Sequence, residues 1–278
     1  MQVVFVRHAQ SGNNVIQDRG ATRADFEKLR SHDAELSELG YKQAEELGQG
    51  IERALTKRLG PRAREAMKKS GQANRPPRVH VAISPMKRTI LTSLPMLKSL
   101  NEMQARAKIS ITELEVVPFI FEVGGCYNEV DGKFVGRPGM NKEQVSAFLP
   151  NASVPDEMLN GWWSHPSRES EEQYEARVVK TTEWIKKMAC AGTCDVLLVV
   201  THQDFACTCM RRLTKVQGIN WLYNTSLSSM TLLPIGSSEV DPEAVQANSD
   251  GDMREVHHCS VIIDWINSID HLSIDNVA

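Results

Sequence analysis

Three places in this chain put arginine, histidine or serine just past an apolar run, and those residue types can grip an anion. Arg7-His8 follows Val3-Val4-Phe5-Val6, Ser84 and then Arg88 follow Val79-His80-Val81-Ala82-Ile83, and Thr201-His202 follows Val196-Leu197-Leu198-Val199-Val200. A guanidinium presents a planar fork matched to phosphate oxygens. An imidazole supplies a lone pair or a proton near neutral pH. Alone, an Arg-His pair means little, because a histidine beside a strand is usually only a satisfied polar group. Position changes that reading. Each group leaves a buried-type run at its carboxyl end, and after His8 the polar residues Ser11, Asn13 and Asn14 offer hydroxyl, amide and backbone donors. Two arginines and two histidines from separate strand ends would converge into a phosphate cluster, whose donors also stabilise charge during phosphoryl transfer. There is no P-loop pattern, so a phosphate is not held in the nucleotide-triphosphatase manner.

The elements that must position these groups follow from periodicity. Val3–Val6, Val79–Ile83 and Val196–Val200 are short, almost wholly apolar and rich in β-branched residues, as in strands buried on both faces of a parallel sheet. Further strands are predicted over 109–117, 227–233 and 255–265. Helices are predicted over 36–59, with Ser37 as cap and Ala44, Leu47, Ile51 and Leu55 at helical spacing, and over 87–100, 169–188 and 205–216. Alternating strands and helices predict a three-layer α/β/α sandwich with a mainly parallel central sheet. Ligands bind such sheets outside the carboxyl ends of the strands. Residues 10–34 read as a loop or loosely helical excursion, and 236–253 as a polar loop. No repeat or clean linker divides the chain, so it reads as one domain over 1–278, with insertions near 57–78 and 121–168. The first is basic, with Lys57, Arg58, Arg62, Arg64, Lys68, Lys69, Arg75 and Arg78 against Glu65; it reads as a solvated helix end and linker rather than a docking patch. The second has little regular pattern, and so long an irregular stretch is more often functional than idle.

The bulk numbers set limits. Of 278 residues, 41% are hydrophobic and 24% charged, as in an ordinary globular protein, and the net charge of −3 gives no drive toward nucleic acid. No apolar stretch is long enough for a membrane span. With a candidate site starting at residue 7, a cleaved leader would remove it, so a cytosolic location is expected. The six cysteines, Cys126, Cys190, Cys194, Cys207, Cys209 and Cys259, lack metal-type spacing and read as scattered reduced thiols. His257-His258 lacks partners at ligand spacing. No metal or organic cofactor is implied.

Several segments together resemble one family. Val6-Arg7-His8-Ala9-Gln10-Ser11-Gly12-Asn13-Asn14 resembles the Arg-His-Gly signature of the histidine phosphatase superfamily, in the branch that includes cofactor-dependent phosphoglycerate mutases. Leu36-Ser37-Glu38-Leu39-Gly40-Tyr41-Lys42-Gln43-Ala44 is similar to its Leu-Thr-x-x-Gly-x-x-Gln-Ala helix start. Ser84-Pro85-Met86-Lys87-Arg88-Thr89-Ile90-Leu91-Thr92 is similar to its Ser-x-x-x-Arg-x-x-x-Thr element, and Val199-Val200-Thr201-His202 to the strand carrying its second histidine. Asn224-Thr225-Ser226-Leu227 and Asn267 to Leu272 are similar to weaker C-terminal signatures. These pieces, in order, span residues 3 to 272. The resemblance implies that His8 is a nucleophile forming a phosphohistidine, that Arg7, Arg88 and His202 clamp the phosphoryl group, and that Asn14 donates to it. Arg7 and Arg88 are expected to hold the pKa of His8 down and keep it nucleophilic.

The implied leaving-group acid is a glutamate between the Arg element and the second His. Glu122, before Val123-Gly124-Gly125, is preferred over Glu113 and Glu115, which lie in strand-like sequence. Ala9 replaces the usual glycine, which requires a negative backbone φ there. Gln203 replaces the glycine after the second histidine and is expected to narrow the pocket or contact substrate; Ser11 is a further candidate contact. Trp162-Trp163 read as a plug fastening the insertion to the core rather than as a lid. The expected activity is hydrolysis of a phosphomonoester, in a phosphorylated small molecule or a phosphoprotein, with specificity set by residues 10–32 and 121–168. The alternatives are a phosphoglycerate mutase-type transferase and a non-catalytic scaffold on the same fold.

Overall fold

A computed structural model describes residues 1–58, 75–235 and 258–277. The central sheet has six strands in the order β3-β2-β6-β1-β7-β8. They are β1 (Gln2–Arg7), β2 (Arg78–Ile83), β3 (Ser110–Val116), β6 (Val196–Thr201), β7 (Leu227–Pro234) and β8 (Cys259–Ser268). β3, β2, β6 and β1 pair in parallel, β7 runs antiparallel to β1, and β8 runs antiparallel to β7.

Side-chain alternation along the buried strands builds the three layers. Val4, Val6, Val81, Ile83, Leu198 and Val200 pack on one face against Leu47, Ile51 and Leu55 of α3 (Glu38–Arg58) and Ile90 and Leu100 of α4 (Lys87–Ala105). Val3, Phe5, Ala82, Leu197 and Val199 pack on the other against Val178 and Ile185 of α6 (Glu171–Ala191) and Phe205 and Met210 of α7 (Gln203–Thr214). Fully burying one such side chain is worth roughly 1.5–3 kcal/mol. Because both faces are apolar, the α/β/α sandwich predicted from the runs is the one found.

Register then places the chemistry. In the parallel ladders Arg7 lies opposite Thr201, and Ile83 opposite Val200. The backbone N–H of His8 donates to Thr201 at 2.9 Å, and that of Ser84 to Val200 at 3.0 Å. Three strands therefore end level, and the next residues of each emerge together.

The structure corrects the readings of two segments. Residues 121–168 are more regular than expected. They hold a hairpin, β4 (Tyr127–Val130) and β5 (Lys133–Gly136), and a helix, α5 (Lys142–Phe148). Asp131 and Gly132 both have positive φ (51° and 74°), so the hairpin turn is the primed type that an Asp-Gly pair signals. Asn141 caps α5 reciprocally with Gln144. Residues 10–34 likewise form α1 (Gly12–Asp18) and α2 (Arg23–Leu29). The predicted loop 236–253, His257 and most of the basic stretch (Arg62, Arg64, Lys68, Lys69) lie outside the described residues. At the end of that stretch, Arg75 donates to Asp195 at 2.9 Å, and so does the backbone of Arg78 at 2.7 Å.

Trp162 is buried in the core beside Phe121, with ring centroids 5.2 Å apart, and Trp163 packs against both, 5.3 Å from Phe121 and 5.9 Å from Trp162. A Cβ on Gly125 would meet the Trp163 ring at 2.3 Å, so that glycine is needed for this packing. The pair plugs the insertion onto the core. No helix among the described residues is long and apolar enough to cross a membrane.

Candidate active site

A cavity of about 980 Å³ opens at the carboxyl ends of β1, β2 and β6, and Arg7, His8, Arg88, Glu122 and Gln203 line it. His8 stands against His202, with ring centroids 5.1 Å apart. Both histidines and both arginines are buried, none more than 7% exposed.

The surrounding elements fix the tautomer of His8. Its Nδ1 lies 2.7 Å from the Ala9 carbonyl, which can only accept, so Nδ1 carries the proton. Nε2 is left with its lone pair, and Arg88 Nε donates to it at 3.2 Å. Burial pushes the His8 pKa well below its ordinary value, and Arg88 and Arg7 push it further, against the Ala9 hydrogen bond. The expected direction is found, but desolvation leads rather than the arginines. His202 is likewise held down by burial, then by Arg88 and His8. Its Nε2 lies 2.7 Å from Ser84 Oγ. Its Nδ1 is buried without a partner. Burial draws Arg7 down to about 10, which still leaves it charged near neutral pH.

The short motifs acquire physical reasons. Arg88 and Thr92 lie one turn apart on α4; Thr92 Oγ1 donates to the Arg88 carbonyl at 2.6 Å and accepts from Ala9 N–H at 2.9 Å. Arg88 and the backbone beside His8 are thus tied together. On α3, Gln43 Oε1 accepts from Gln10 N–H at 2.8 Å. A Cβ on Gly40 would sit 2.0 Å from the Gln10 carbonyl, so only glycine lets the start of α3 approach that loop. Ser37 caps α3 by accepting from Gly40 N–H at 3.0 Å. Ala9 has no positive φ, so the missing glycine leaves no strain.

Glu122 lines the same cavity. Its carboxylate accepts from the backbone of Val123 at 2.9 Å and of Phe205, in the first turn of α7, at 3.1 Å. Burial and the nearby Asp204 raise its pKa, against the Val123 hydrogen bond and the charge of Arg88. Glu115 instead faces His80 Nε2 at 2.7 Å, and Glu113 is exposed on β3. Neither lines the cavity.

The remaining predicted contacts also line it, with different duties. Ser11 is the N-cap of α1, and its hydroxyl is engaged with Asn14. Asn14 gives its Oδ1 to Ser11, which leaves its Nδ2 as the group able to donate to a ligand. Gln203 keeps a buried Oε1 without a partner.

Sequence reasoning missed Arg30 and gave Asn224 and Ser84 no specific duty. Asn224, in one of the weaker family-like segments, donates from Nδ2 to the His8 carbonyl at 2.9 Å and holds the end of β1. Ser84, read as a strand-end group beside Arg88, faces His202 Nε2. Arg30 lines the cavity with Glu27 and Tyr127. No spacing signal marks Arg30, because it acts across the fold.

Buried polar atoms without partners concentrate here. Among the described residues they include Arg7 Nε, Arg88 Nη1, His202 Nδ1 and Gln203 Oε1. Folded chains rarely leave such groups unsatisfied, and a cluster beside a cavity marks a place shaped for a ligand. Unpartnered guanidinium nitrogens on two arginines that share a cavity with the His8 lone pair suit an oxyanion.

No protein-family model matches the chain, and no curated protein matches it by sequence. It is similar to solved structures of phosphatases. The ecdysone phosphate phosphatase of Bombix mori in complex with tungstate is 16% identical, with 83% of this chain and 88% of that chain covered and a TM-score of 0.48. A phosphoserine phosphatase mutant from Entamoeba histolytica in complex with phosphoserine is 13% identical over 98% of this chain and 99% of that chain, with a TM-score of 0.47. A mycobacterial glucosyl-3-phosphoglycerate phosphatase is 15% identical over 96% and 98%, with a TM-score of 0.41.

Proposed function

We propose that this chain is a phosphomonoesterase of the histidine phosphatase superfamily that works through a phosphohistidine at His8 Nε2. The observation that carries this reading is the arrangement at that atom: an unprotonated nitrogen, a neutral ring, Arg7 and Arg88 on the same cavity with unpartnered buried nitrogens, and the His202 ring, its centroid 5.1 Å from that of His8. Both cores pack on the one sheet that presents these groups, so the chain is read as one catalytic domain.

In the first step Nε2 attacks phosphorus, the ester P–O bond breaks, and the leaving oxygen takes its proton from Glu122. The raised pKa of that carboxyl keeps its acid form available at higher pH than an ordinary glutamic acid. In the second step water attacks the phosphohistidine, gives a proton to Glu122, and releases inorganic phosphate with the lone pair returned to Nε2. The arginines and His202 donate to the phosphoryl oxygens in both steps. The substrate is a phosphorylated small molecule or a phosphoprotein. Six free cysteines fit a reaction in the cytosol.

The test is hydrolysis of para-nitrophenyl phosphate together with trapping of labelled phosphoenzyme at alkaline pH. Label retained by the wild type and absent from His8→Ala supports the reading. No hydrolysis at any pH between about 4 and 9, where histidine and carboxyl groups titrate, overturns it in favour of a scaffold. Isomerisation of 3-phosphoglycerate with a bisphosphoglycerate primer, faster than hydrolysis, would make the protein a mutase instead.

A further inference from the structure

We propose that the cavity carries a second anion subsite built on Arg30, and that the natural substrate bears a carboxylate or second phosphate in reach of it. This rests on reading the cavity as a phosphatase site.

Arg30 is only 9% exposed and lines the same cavity as His8 and Arg88. Its guanidinium makes no hydrogen bond to any described residue, and its Nε is buried without a partner. Its ion-pair partner is Glu27, at 3.8 Å, beyond hydrogen-bond reach. What seats the group is an aromatic face: its central carbon lies 3.9 Å from the centroid of the Tyr127 ring. Glu27 is engaged elsewhere, accepting from Tyr127 Oη at 3.0 Å and facing Arg23 at 3.7 Å.

Arg177 shows what this fold does with a structural buried arginine. Its Nε and Nη2 each donate to Glu169 at 2.7 Å, and its Nη1 donates to the Phe121 carbonyl at 2.8 Å. A buried guanidinium without hydrogen-bond acceptors is costly, so Arg30, held only by a long ion pair and an aromatic face, is a ready receptor. Its planar fork suits a carboxylate or phosphate.

The surroundings agree in charge. Of the arginines lining the cavity, Arg7 and Arg88 belong to the phosphoryl end, which leaves Arg23, Arg30 and Arg168. Against them stand Glu27 and Glu171, since Glu169 is paired with Arg177 and the other two lining acids, Glu122 and Asp204, act on Arg7 at the phosphoryl end. The charge of Arg30 also acts on Arg88, so the two arginines belong to one electrostatic field.

Phosphonates test this without turnover. Calorimetric binding of 3-phosphonopropionate and propane-1,3-bisphosphonate is compared with that of propylphosphonate, and with longer spacers in each series. The wild type is expected to favour the doubly anionic probes by about tenfold or more, the worth of one charge-assisted hydrogen-bonded contact. The better of the two identifies carboxylate or phosphate as the partner. Arg30→Gln is expected to bring that ratio close to one, and Arg30→Lys to an intermediate value. Should Arg30→Gln not fold, Glu27→Gln is read instead, and it is expected to raise the ratio. No preference in the wild type at any spacer length, or a ratio unmoved by these substitutions, overturns the proposal. Wild-type turnover of para-nitrophenyl phosphate separates the two readings: its absence removes the phosphatase while the binding ratio still reports on Arg30.

Discussion

The two ends of the central sheet use arginine in opposite ways. At the amino ends, Arg75 and the backbone of Arg78 close on the carboxylate of Asp195, just before β6. At the carboxyl ends, Arg7 and Arg88 are buried beside two histidines, and each keeps a nitrogen without a partner. The first arrangement pairs its charges directly within the chain, although Arg78 Nε is also buried without a partner; the second makes no such ion pair among the described residues. A saturated arginine holds the fold together, and an unsaturated one waits for a ligand. Arg177, paired with Glu169, and Arg30, without a hydrogen bond, repeat the contrast elsewhere in the fold.

The largest effect that would break this comparison lies at His8. His8→Ala is expected to lower kcat on para-nitrophenyl phosphate by about 10³-fold or more, because the covalent route is lost. Steady-state kinetics beside a thermal melt decides it: a variant that melts normally yet keeps its activity would strip the carboxyl end of its assigned role.

Next comes the saturated arginine. Arg177→Met leaves Glu169 buried and unpaired, and breaking such a pair costs about 3–5 kcal/mol. Urea unfolding measures it. A cost near zero would show that saturation does not mark structural duty.

Glu122→Gln sharpens the chemistry of the outer wall. An alkyl phosphate, with a poor leaving group, is expected to lose about 10²-fold or more, and para-nitrophenyl phosphate much less. The sign with pH is set by the raised pKa. The wild type is expected to turn over alkyl phosphate while Glu122 is protonated and to lose that activity as pH rises through its pKa, and the variant is expected to lack this limb. Equal losses on both substrates would remove Glu122 as the acid.

The smallest effect belongs to the amino end. Asp195→Asn is expected to cost about 1–3 kcal/mol with kcat unchanged. Burial opposes its ionisation, but the hydrogen bonds from Arg75 and Arg78 outweigh it and hold the carboxyl at about 2. A depressed folded pKa gives stability that is present above the ordinary carboxyl value of about 3.9 and lost as pH falls toward 2. Acid unfolding profiles of the variant should lack that contribution.

The comparison also explains what could be read from residues alone. The inner site was legible because strand ends are local features: Val3–Val6, Val79–Ile83 and Val196–Val200 announce buried strands, and the chemistry starts one or two residues later. Asp131-Gly132 and the Asn141/Gln144 cap were equally local signals of the hairpin and α5, passed over under the irregular composition around them. Asn224 stood in a family-like segment, but its duty was not legible, since it depends on lying 2.9 Å from a carbonyl more than two hundred residues away. Arg30 had no signal at all, because its meaning comes from missing hydrogen-bond acceptors.

By itself, then, the sequence determined the layers of the sandwich and which strand ends carry arginine and histidine, because hydrophobic period and motif spacing are properties of neighbouring residues. Tertiary structure decided the tautomer of His8, the raised pKa of Glu122, and which arginines are saturated. Each of those depends on distances and desolvation between segments far apart in the chain, and only packing fixes them.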